Sequence, residues 1–136
     1  MTIENFFKKV NDTYGHKEGD LVLKELGDIL KNSARSFDIV SRNGGEEFSV
    51  ILLDCPMKRA VEIGELIRRN VESHLFILSS CKKINITISI GLACFDETTK
   101  DPALLIDDAD KALYQAKRTG RNKVCVYLHS SNNAFL

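Results

Sequence analysis

Two glycines followed by two carboxylates form the stretch with the clearest chemical potential. Gly44 and Gly45 precede Glu46 and Glu47, and a strand-like run over 48–53 follows directly. Glycine lets a backbone approach a ligand closely, and carboxylate oxygens together with nucleotide phosphates are the usual ligands of Mg²⁺. The stretch therefore indicates a place where a metal ion and a phosphate could meet. A solvated acidic turn is the alternative, because consecutive strand residues point to opposite faces.

Two other pairs of polar residues could take part in the same chemistry. Asn11 and Asp20 offer an amide and a carboxylate that could match the hydrogen-bonding edge of guanine, although Asp20 could equally cap a helix. Lys117 and Arg121 flank a predicted helix end. There they could grip phosphates or simply compensate the helix dipole. Each pair taken alone leaves both interpretations open.

The hydrophobic pattern predicts the helices and strands that must position these residues. Helices are expected over 18–33, from Pro56 to about Val71, and from Asp101-Pro102 to a stop at Gly120. Strand-like runs at 37–41 and 48–53 enclose Asn43-Gly44-Gly45, which is typical of a β-hairpin tip. Residues 84–90 alternate and predict a half-buried strand, 124–128 a last strand, and 1–4 the end of a first strand. A short helix over 6–10 is followed by a polar break over 11–16, and 72–83 is ambiguous.

This order of elements predicts an α/β (α+β) sandwich, in which helices pack on a mainly antiparallel central sheet. No linker or repeat divides the chain of 136 residues. We therefore expect one domain over 1–128 and a loose tail over 129–136.

Composition is that of an ordinary globular protein, with 43% hydrophobic and 28% charged residues and a formal net charge of zero. Zero net charge argues against a nucleic-acid partner bound through bulk electrostatics. The four cysteines lack metal-ligand spacing, so reduced thiols are expected. Neither a membrane span nor a signal peptide is recognisable, which favours a cytoplasmic location.

Six motifs occur together in the order and spacing of one family. They are Asn11-Asp12-Thr13-Tyr14-Gly15-His16 with Gly19-Asp20, Arg35-Ser36-Phe37-Asp38, Arg42-Asn43-Gly44-Gly45-Glu46-Glu47-Phe48, Thr87-Ile88-Ser89-Ile90-Gly91, Ala109 to Lys117, and Gly120-Arg121-Asn122. The sequence closely resembles the GGDEF family, the catalytic domain of diguanylate cyclases, in the GGEEF form of its signature. The resemblance runs from about Phe7 to Tyr127.

The resemblance implies a palm-like fold related to nucleotidyl cyclases and polymerases. It also implies condensation of two GTP molecules to cyclic di-GMP with release of two pyrophosphates. Each domain would hold one GTP, and two domains would face each other, so catalysis would need a homodimer. The implied cofactor is Mg²⁺ or Mn²⁺. An upstream sensory or receiver domain is implied in the parent protein, which could be membrane-anchored with this domain in the cytosol.

The family's functional residues carry over onto matching positions. Asn11 and Asp20 would bind guanine, and Gly44 and Gly45 would admit the nucleotide. The catalytic carboxylates would be Glu46, which would ligate the metal and help to deprotonate the attacking hydroxyl, and Glu47 beside it. The terminal phosphates would be held by Lys117, Arg121 and the segment around Phe6 to Lys8.

A product-inhibition site is also implied by the resemblance. Arg35 and Asp38 match the family's RxxD motif, and Arg42 resembles a neighbouring family arginine. Taken alone, Arg35 and Asp38 would be read as a local salt bridge. The arginine that family members often add from the following helix falls near Leu66, with Arg68 or Arg69 one turn away.

The sequence departs from the family pattern at its start. The family carries an Asp-x-Asp segment at the end of its central first strand, and the first Asp is a metal ligand. An alignment without gaps puts Ile3 and Asn5 at these positions, whereas a one-residue insertion puts Thr2 and Glu4 there, so that Glu4 could approach the metal. The upstream helix and most of the first strand are absent, and we expect a truncated domain or another segment in that place.

The departure leaves a second function open. A catalytically inactive domain could still bind GTP or cyclic di-GMP and act as a receptor or regulatory module. The retained Arg35 and Asp38 and the missing aspartate favour this alternative.

Overall fold

The computed structural model describes residues 1–5, 7–96 and 101–128, and for residues 5, 7 and 8 it describes the backbone only. In chain order the elements are β1 (Thr2–Asn5), α1 (Phe7–Tyr14), α2 (His16–Ser33), β2 (Ile39–Gly44), β3 (Glu47–Ile51), α3 (Met57–Ser73), β4 (Phe76–Ile77), β5 (Lys83–Ile84), β6 (Ile88–Leu92), α4 (Pro102–Arg118) and β7 (Val124–Val126). The expected tail over 129–136 lies outside the described residues.

A five-stranded sheet in the order β2-β3-β1-β6-β7 forms the centre of the fold. All its pairs are antiparallel except β6 with β7, which is parallel. The short strand β1 occupies the middle of this sheet, with β3 on one side and β6 on the other. Residues 2–5 themselves therefore form the central strand, and the fold expected from the sequence is confirmed.

Helices cover the sheet on both faces. On one face, Ile3, Phe48 and Ile90 pack in a single apolar core with residues of α1, α2 and α3. On the other face α4 lies against β6 and β7, where Ala112, Ala116 and Cys125 form a small cluster. The result is a three-layer arrangement that fits the observed amphipathic pattern of the helices.

The strand predicted over 84–90 is wrong in its extent. Lys83–Ile84 pairs with Phe76–Ile77 in a separate two-stranded sheet, and the central strand begins only at Ile88. Every residue of β6 is buried, including Ser89. Ser89 and Gly91 in β6 do not face solvent, because α4 covers them. Gly91 is the clearest case, since a β-carbon there would overlap the backbone of Ala109 and Leu113.

Two helix boundaries also differ from expectation. The polar stretch over 11–14 belongs to α1, and the chain breaks at Gly15, whose φ is 93°. Asp12 and Thr13 are exposed on α1, so their polarity does not oppose a helix. Pro56 is the N-cap of α3 and not part of its first turn. The cap at Asp101 is confirmed, since its side chain accepts a hydrogen bond from the amide of Ala103 at 2.9 Å.

Within the described ranges, none of the helices is both long and apolar enough to span a bilayer. The four cysteines are free thiols, as the sequence predicts.

Candidate functional site

The glycine pair forms the tip of the hairpin between β2 and β3. Gly44 and Gly45 have φ values of 113° and 54°, in the region that favours glycine. The pairing shifts by one residue between Arg42 and Gly44, which is a β-bulge. Arg42 donates from Nε and Nη2 to the carbonyl oxygen of Gly45, at 3.2 and 3.0 Å. The arginine therefore holds the shape of the tip, while Glu46 lies half-buried within the turn.

Two carboxylates face each other across the strands next to this tip. Glu4 in β1 is the direct partner of Glu47 in β3, and directly paired residues project on the same face of a sheet. Lys117, in the last turn of α4, places its Nζ 2.6 Å from Oε2 of Glu4. The Glu4 side chain is 14% exposed. Glu4 therefore lies between Glu47 of the neighbouring strand and the ammonium group of Lys117.

Hard oxygen donors of this kind fit Mg²⁺ or Mn²⁺. In the described part of the chain, no three His, Cys, Asp or Glu side chains lie close enough together to enclose a metal. Magnesium commonly takes one or two protein carboxylates and completes its shell with water and substrate phosphates. Glu4 and Glu47 are the residues that could hold a metal in that way, since they are paired on one face of the sheet.

The two possible alignments of the first strand place different residues at this position. Ile3 is fully buried and lies opposite Phe48 and Ile90, on the face covered by α1, α2 and α3. Its side chain belongs to the core. Glu4 projects to the other face, beside Glu47. The register of β1 therefore gives the site a carboxylate from the first strand, although it is not an aspartate.

The guanine candidates lie on the first two helices. Asn11 is on α1, and its Oδ1 is buried without a hydrogen-bond partner among the described residues. A buried acceptor without a partner is costly unless a ligand or water satisfies it. Asp20 lies inside α2, whose N-cap is Gly15, so the capping interpretation of Asp20 is wrong. Its exposed side chain borders a groove.

This groove runs between α2 and the hairpin and has a volume of about 430 Å³. Its lining residues are Asp20, Leu23, Lys24, Gly27, Asp28, Lys31, Val40, Ser41, Arg42 and Phe48. Sequence reasoning missed Gly27, where a β-carbon would lie 3.7 Å from the Phe48 ring. A glycine in the middle of an amphipathic helix is the signal that could have revealed this close approach.

The predicted phosphate-binding cations lie at the end of α4. Lys117 is in its last turn, and Arg121 follows in the connection to β7 with a φ of 63°. The structure therefore brings Lys117 to the acidic pair and puts Arg121 one turn beyond it. The side chain of Lys8 and all of Phe6 lie outside the described residues, so their predicted role stays a prediction.

Arg35 and Asp38 form a built-in ion pair rather than a loose surface contact. Arg35 donates from Nε and Nη2 to the two carboxylate oxygens of Asp38, each at 2.9 Å, and also from Nη2 to the carbonyl oxygen of Leu53 at 2.7 Å. The Asp38 side chain is fully buried, whereas that of Arg35 is 29% exposed. Burial raises the pKa of Asp38, but hydrogen bonds from Arg35 and from the amide of Leu53 outweigh burial and lower it.

The second inhibitory arginine is not supplied at Leu66, which is exposed on α3. Arg68, one turn away, is bound by Glu65 and Glu72 of its own helix and by Asn122 beyond α4. Arg69 is exposed and donates to the carbonyl oxygen of Glu65 at 3.3 Å. Arg68 therefore contacts its own helix and the connection after α4.

Comparisons with known proteins agree with this arrangement. The model of the family described as "Diguanylate cyclase, GGDEF domain" matches residues 1–123. Diguanylate cyclase A of Treponema denticola is 43% identical over 129 residues, which is 95% of this chain and 34% of that protein. The chain thus spans about a third of the length of this curated relative.

Two solved structures are similar throughout most of the chain. The active GGEEF domain of a diguanylate cyclase from Vibrio cholerae superposes with a TM-score of 0.85 at 32% identity, covering 95% of this chain and 81% of that one. The GGDEF domain of DgcB from Caulobacter crescentus, solved in complex with c-di-GMP, gives a TM-score of 0.86 at 31% identity, covering 92% and 74%. With the central sheet, the hairpin tip and the family match in agreement, this chain belongs to the GGDEF family of diguanylate cyclase domains.

Proposed function

We propose that this domain condenses two GTP molecules to cyclic di-GMP and releases two pyrophosphates. The observation that carries the proposal is the pairing of Glu4 with Glu47 on one face of the sheet, with the Lys117 ammonium 2.6 Å from Glu4. Phosphoryl transfer depends chiefly on positioning and on neutralising negative charge. Carboxylates that can hold a metal and cations that can hold phosphates are the groups this reaction requires.

Guanine recognition is proposed for Asn11 and Asp20. The partnerless oxygen of Asn11 could accept a hydrogen bond from a purine base, and the exposed carboxylate of Asp20 could accept from the N–H groups on the guanine edge. The bare tip at Gly44 and Gly45 leaves room beside the nucleotide, since a β-carbon added at either glycine would have nothing within 4 Å.

The metal, Mg²⁺ or Mn²⁺, would be held by Glu4 and Glu47. Glu46, the further carboxylate that the family pattern implies, would have to approach them when the nucleotide binds, because the three do not form a metal cluster in the described structure. When bound, the metal would neutralise phosphate charge and lower the pKa of the attacking hydroxyl. Lys117 and Arg121 would hold the terminal phosphates. Because Lys117 already contacts Glu4, nucleotide binding would redistribute this ammonium between carboxylate and phosphate.

Catalysis is proposed to require a homodimer, since one domain would supply one GTP and its partner the other. Cyclic di-GMP is proposed to bind at Arg35 and slow the enzyme, because Asp38 holds the guanidinium while leaving it partly exposed. The complex of the DgcB domain with c-di-GMP supports product binding in a similar domain. A cytoplasmic location and an upstream regulatory domain remain part of the proposal.

A receptor function is the second candidate. It is favoured by Ile3, whose side chain is part of the core in the position that a gapless alignment gives to the metal-binding aspartate. The ion pair of Arg35 and Asp38 would serve a cyclic di-GMP receptor as well as it would serve an inhibited enzyme.

Incubation with GTP and Mg²⁺, followed by chromatography of the nucleotides, separates the two functions. If the domain is a cyclase, cyclic di-GMP and pyrophosphate should form. Glu47→Gln should then lower the rate of cyclic di-GMP formation by about a hundredfold, because a charge at the proposed metal site is lost. Glu62→Gln is the matched control, since Glu62 is on α3 and its ion pair with Arg59 is exposed. Bound guanine nucleotide without any product would refute the cyclase and support the receptor.

A further inference from the structure

The connection between α4 and β7 has an unusual backbone. Gly120, Arg121 and Asn122 have φ values of 118°, 63° and 47°, so three consecutive residues are left-handed and two of them are not glycine. Residues with a side chain adopt this conformation uncommonly, asparagine more readily than arginine, and surrounding contacts add to its stability. The amide of Arg121 donates to the carbonyl oxygen of Ala116 at 2.9 Å, which closes the end of α4. Asn122 is held by contacts of its own.

These contacts come from α3. Arg68 donates from Nη1 to Oδ1 of Asn122 at 3.0 Å, and the side-chain nitrogen Nδ2 of Asn122 donates to the carboxylate of Glu72. Arg68 is itself fixed by Glu65, at 3.2 Å, and by Glu72, at 3.5 Å. Its side chain is only 16% exposed. The oxygen and the nitrogen of the Asn122 side-chain amide are thus both hydrogen-bonded to α3. We call this pair of contacts the clamp, because it holds the connection that contains Arg121.

The next residue provides a contrast on the same helix. Arg69 is exposed, and its Nε donates to the carbonyl oxygen of Glu65 within α3, at 3.3 Å. The two adjacent arginines share charge, size and helix, but among the described residues Arg68 and not Arg69 contacts the connection after α4.

We propose that Arg68 is a positioning residue for phosphate binding: by holding Asn122 it fixes the left-handed turn at Gly120 to Asn122 and so presents Arg121 to the terminal phosphates of the substrate. This inference rests on the proposed function, in which Arg121 binds those phosphates. A turn that is already fixed loses less conformational freedom when the nucleotide binds. The clamp should therefore increase the affinity for the phosphates of the nucleotide, which Arg121 is proposed to bind. The proposed guanine-binding residues Asn11 and Asp20 lie on α1 and α2, so a fixed turn after α4 should not strengthen guanine binding.

The test compares two ligands in calorimetric titrations with Mg²⁺. The first is α,β-methylene GTP, which carries three phosphates but cannot release pyrophosphate, and the second is GMP. Arg68→Gln should weaken the triphosphate analogue about tenfold and change GMP affinity by less than about twofold. Arg69→Gln, the matched control, should change neither. Equal affinity of Arg68→Gln and the parent chain for the triphosphate analogue would overturn the proposal, as would equal weakening of both ligands.

A double-mutant cycle tests whether Arg68 acts through Asn122. In an Asn122→Gly background the turn no longer needs an anchor, so Arg68→Gln should add little further loss. Fully additive losses would refute the link. Arg68→Lys, which keeps the charge but not the forked donors, should fall between the parent and Arg68→Gln, and it replaces that variant if Arg68→Gln does not fold.

A readout without nucleotide separates this inference from the proposed function. Hydrogen exchange of the Arg121 amide should be faster in Arg68→Gln than in the parent chain and unchanged in Arg69→Gln, because the clamp protects its bond to Ala116. Unchanged exchange in Arg68→Gln would overturn the clamp whatever the nucleotide affinities are. If the parent chain bound no guanine nucleotide, the proposed function and the phosphate role of Arg68 would both be refuted, while faster exchange would still support the clamp.

Discussion

The carboxylate of Asp38 is buried and yet charged, and its partners explain how both conditions hold. It receives hydrogen bonds from the backbone and side chain of Arg35 and from the amide of Leu53. These donors compensate the lost hydration of the charged form. Asp38 therefore acts on Arg35 in two ways, since it neutralises the guanidinium and fixes its direction at the candidate inhibitory site.

Asp38 should make the stability of the domain depend on acid pH. Its pKa is lower in the folded chain than in the unfolded chain, where it is about 4. Its contribution is thus present above that value and is lost as the pH falls through the lower folded pKa. Urea unfolding between about pH 5 and pH 3 should show a falling free energy of unfolding in the parent chain and a shallower fall in Asp38→Asn. Asp107→Asn, at an exposed side chain 4.0 Å from Lys111, should keep the parent slope. Equal slopes in Asp38→Asn and the parent would contradict this assignment.

How far the sequence predicts the site is clearest at single residues. The motif order identifies Glu47, Asn11 and Lys117 as functional candidates, because their chemical types and spacing match the family pattern. Whether Ile3 or Glu4 joins Glu47 could not be decided, since a one-residue change of register exchanges the two faces of a strand. Only the pairing of Glu4 with Glu47 in the sheet resolves this.

At the scale of elements, the contact between α4 and β6 depends on small side chains. Gly91 in β6 lies directly under the backbone of α4, and a β-carbon there would overlap Ala109 and Leu113, including a distance of 2.7 Å to the Cα of Leu113. This close approach determines how near α4, and Lys117 at its end, lie to β1.

Gly91→Ala should therefore destabilise the domain strongly. Because the overlapping atoms belong to backbone, the helix must move away from the sheet, at a cost of about 3 kcal/mol. Gly64→Ala in α3 is the matched control, since its β-carbon would meet side chains at 3.4 to 3.5 Å and gains helix propensity, so its effect should stay below about 1 kcal/mol. Chemical denaturation measures both. A loss for Gly91→Ala as small as that for Gly64→Ala would show that α4 is not seated as described.

The same contact explains why the alternating pattern over 84–90 was misleading. In the predicted half-buried strand, Asn85, Thr87 and Ser89 share the face opposite the isoleucines, and that face is expected to lie towards solvent. Ser89 and the following Gly91 are instead buried in β6. A helix that packs closely on a sheet requires small side chains beneath it, and Ser89 and Gly91 provide them. Small polar residues are also common on a strand face exposed to solvent, so the pattern alone does not distinguish the two cases. The hairpin was predictable because Gly44 and Gly45 need positive φ values, which are a local property of the backbone. Burial of one face of β6 under α4 depends on a separate element, so the residues of the strand alone do not predict it.

On the scale of the whole molecule, each domain offers one set of guanine and phosphate candidates. The proposed nucleotide-binding residues are Asn11 on α1, Asp20 in α2, Lys117 at the end of α4 and Arg121 after it. If they bind one GTP, as proposed, a product built from two nucleotides would need two domains, which is the basis of the proposed homodimer.

Cyclase activity should accordingly depend on protein concentration. At concentrations where the chain is mostly monomeric, the rate per chain should rise in proportion to concentration, since the active species forms by association. The measurement is initial pyrophosphate release over a hundredfold dilution series, with light scattering to report the mass at each point. A constant rate per chain in samples that remain monomeric would contradict the two-domain mechanism.

The central position of β1 has a consequence for how the protein is made. A ribosome synthesises Thr2–Asn5 before either neighbouring strand exists, and Ile3 finds its partner Ile90 only after most of the chain has emerged. Sheets closed by such distant pairings fold slowly, and their unpaired strands are exposed to aggregation in the meantime. Glu4 can therefore pair with Glu47 as soon as β3 has emerged, whereas the other edge of β1 stays unpaired until β6 has been synthesised.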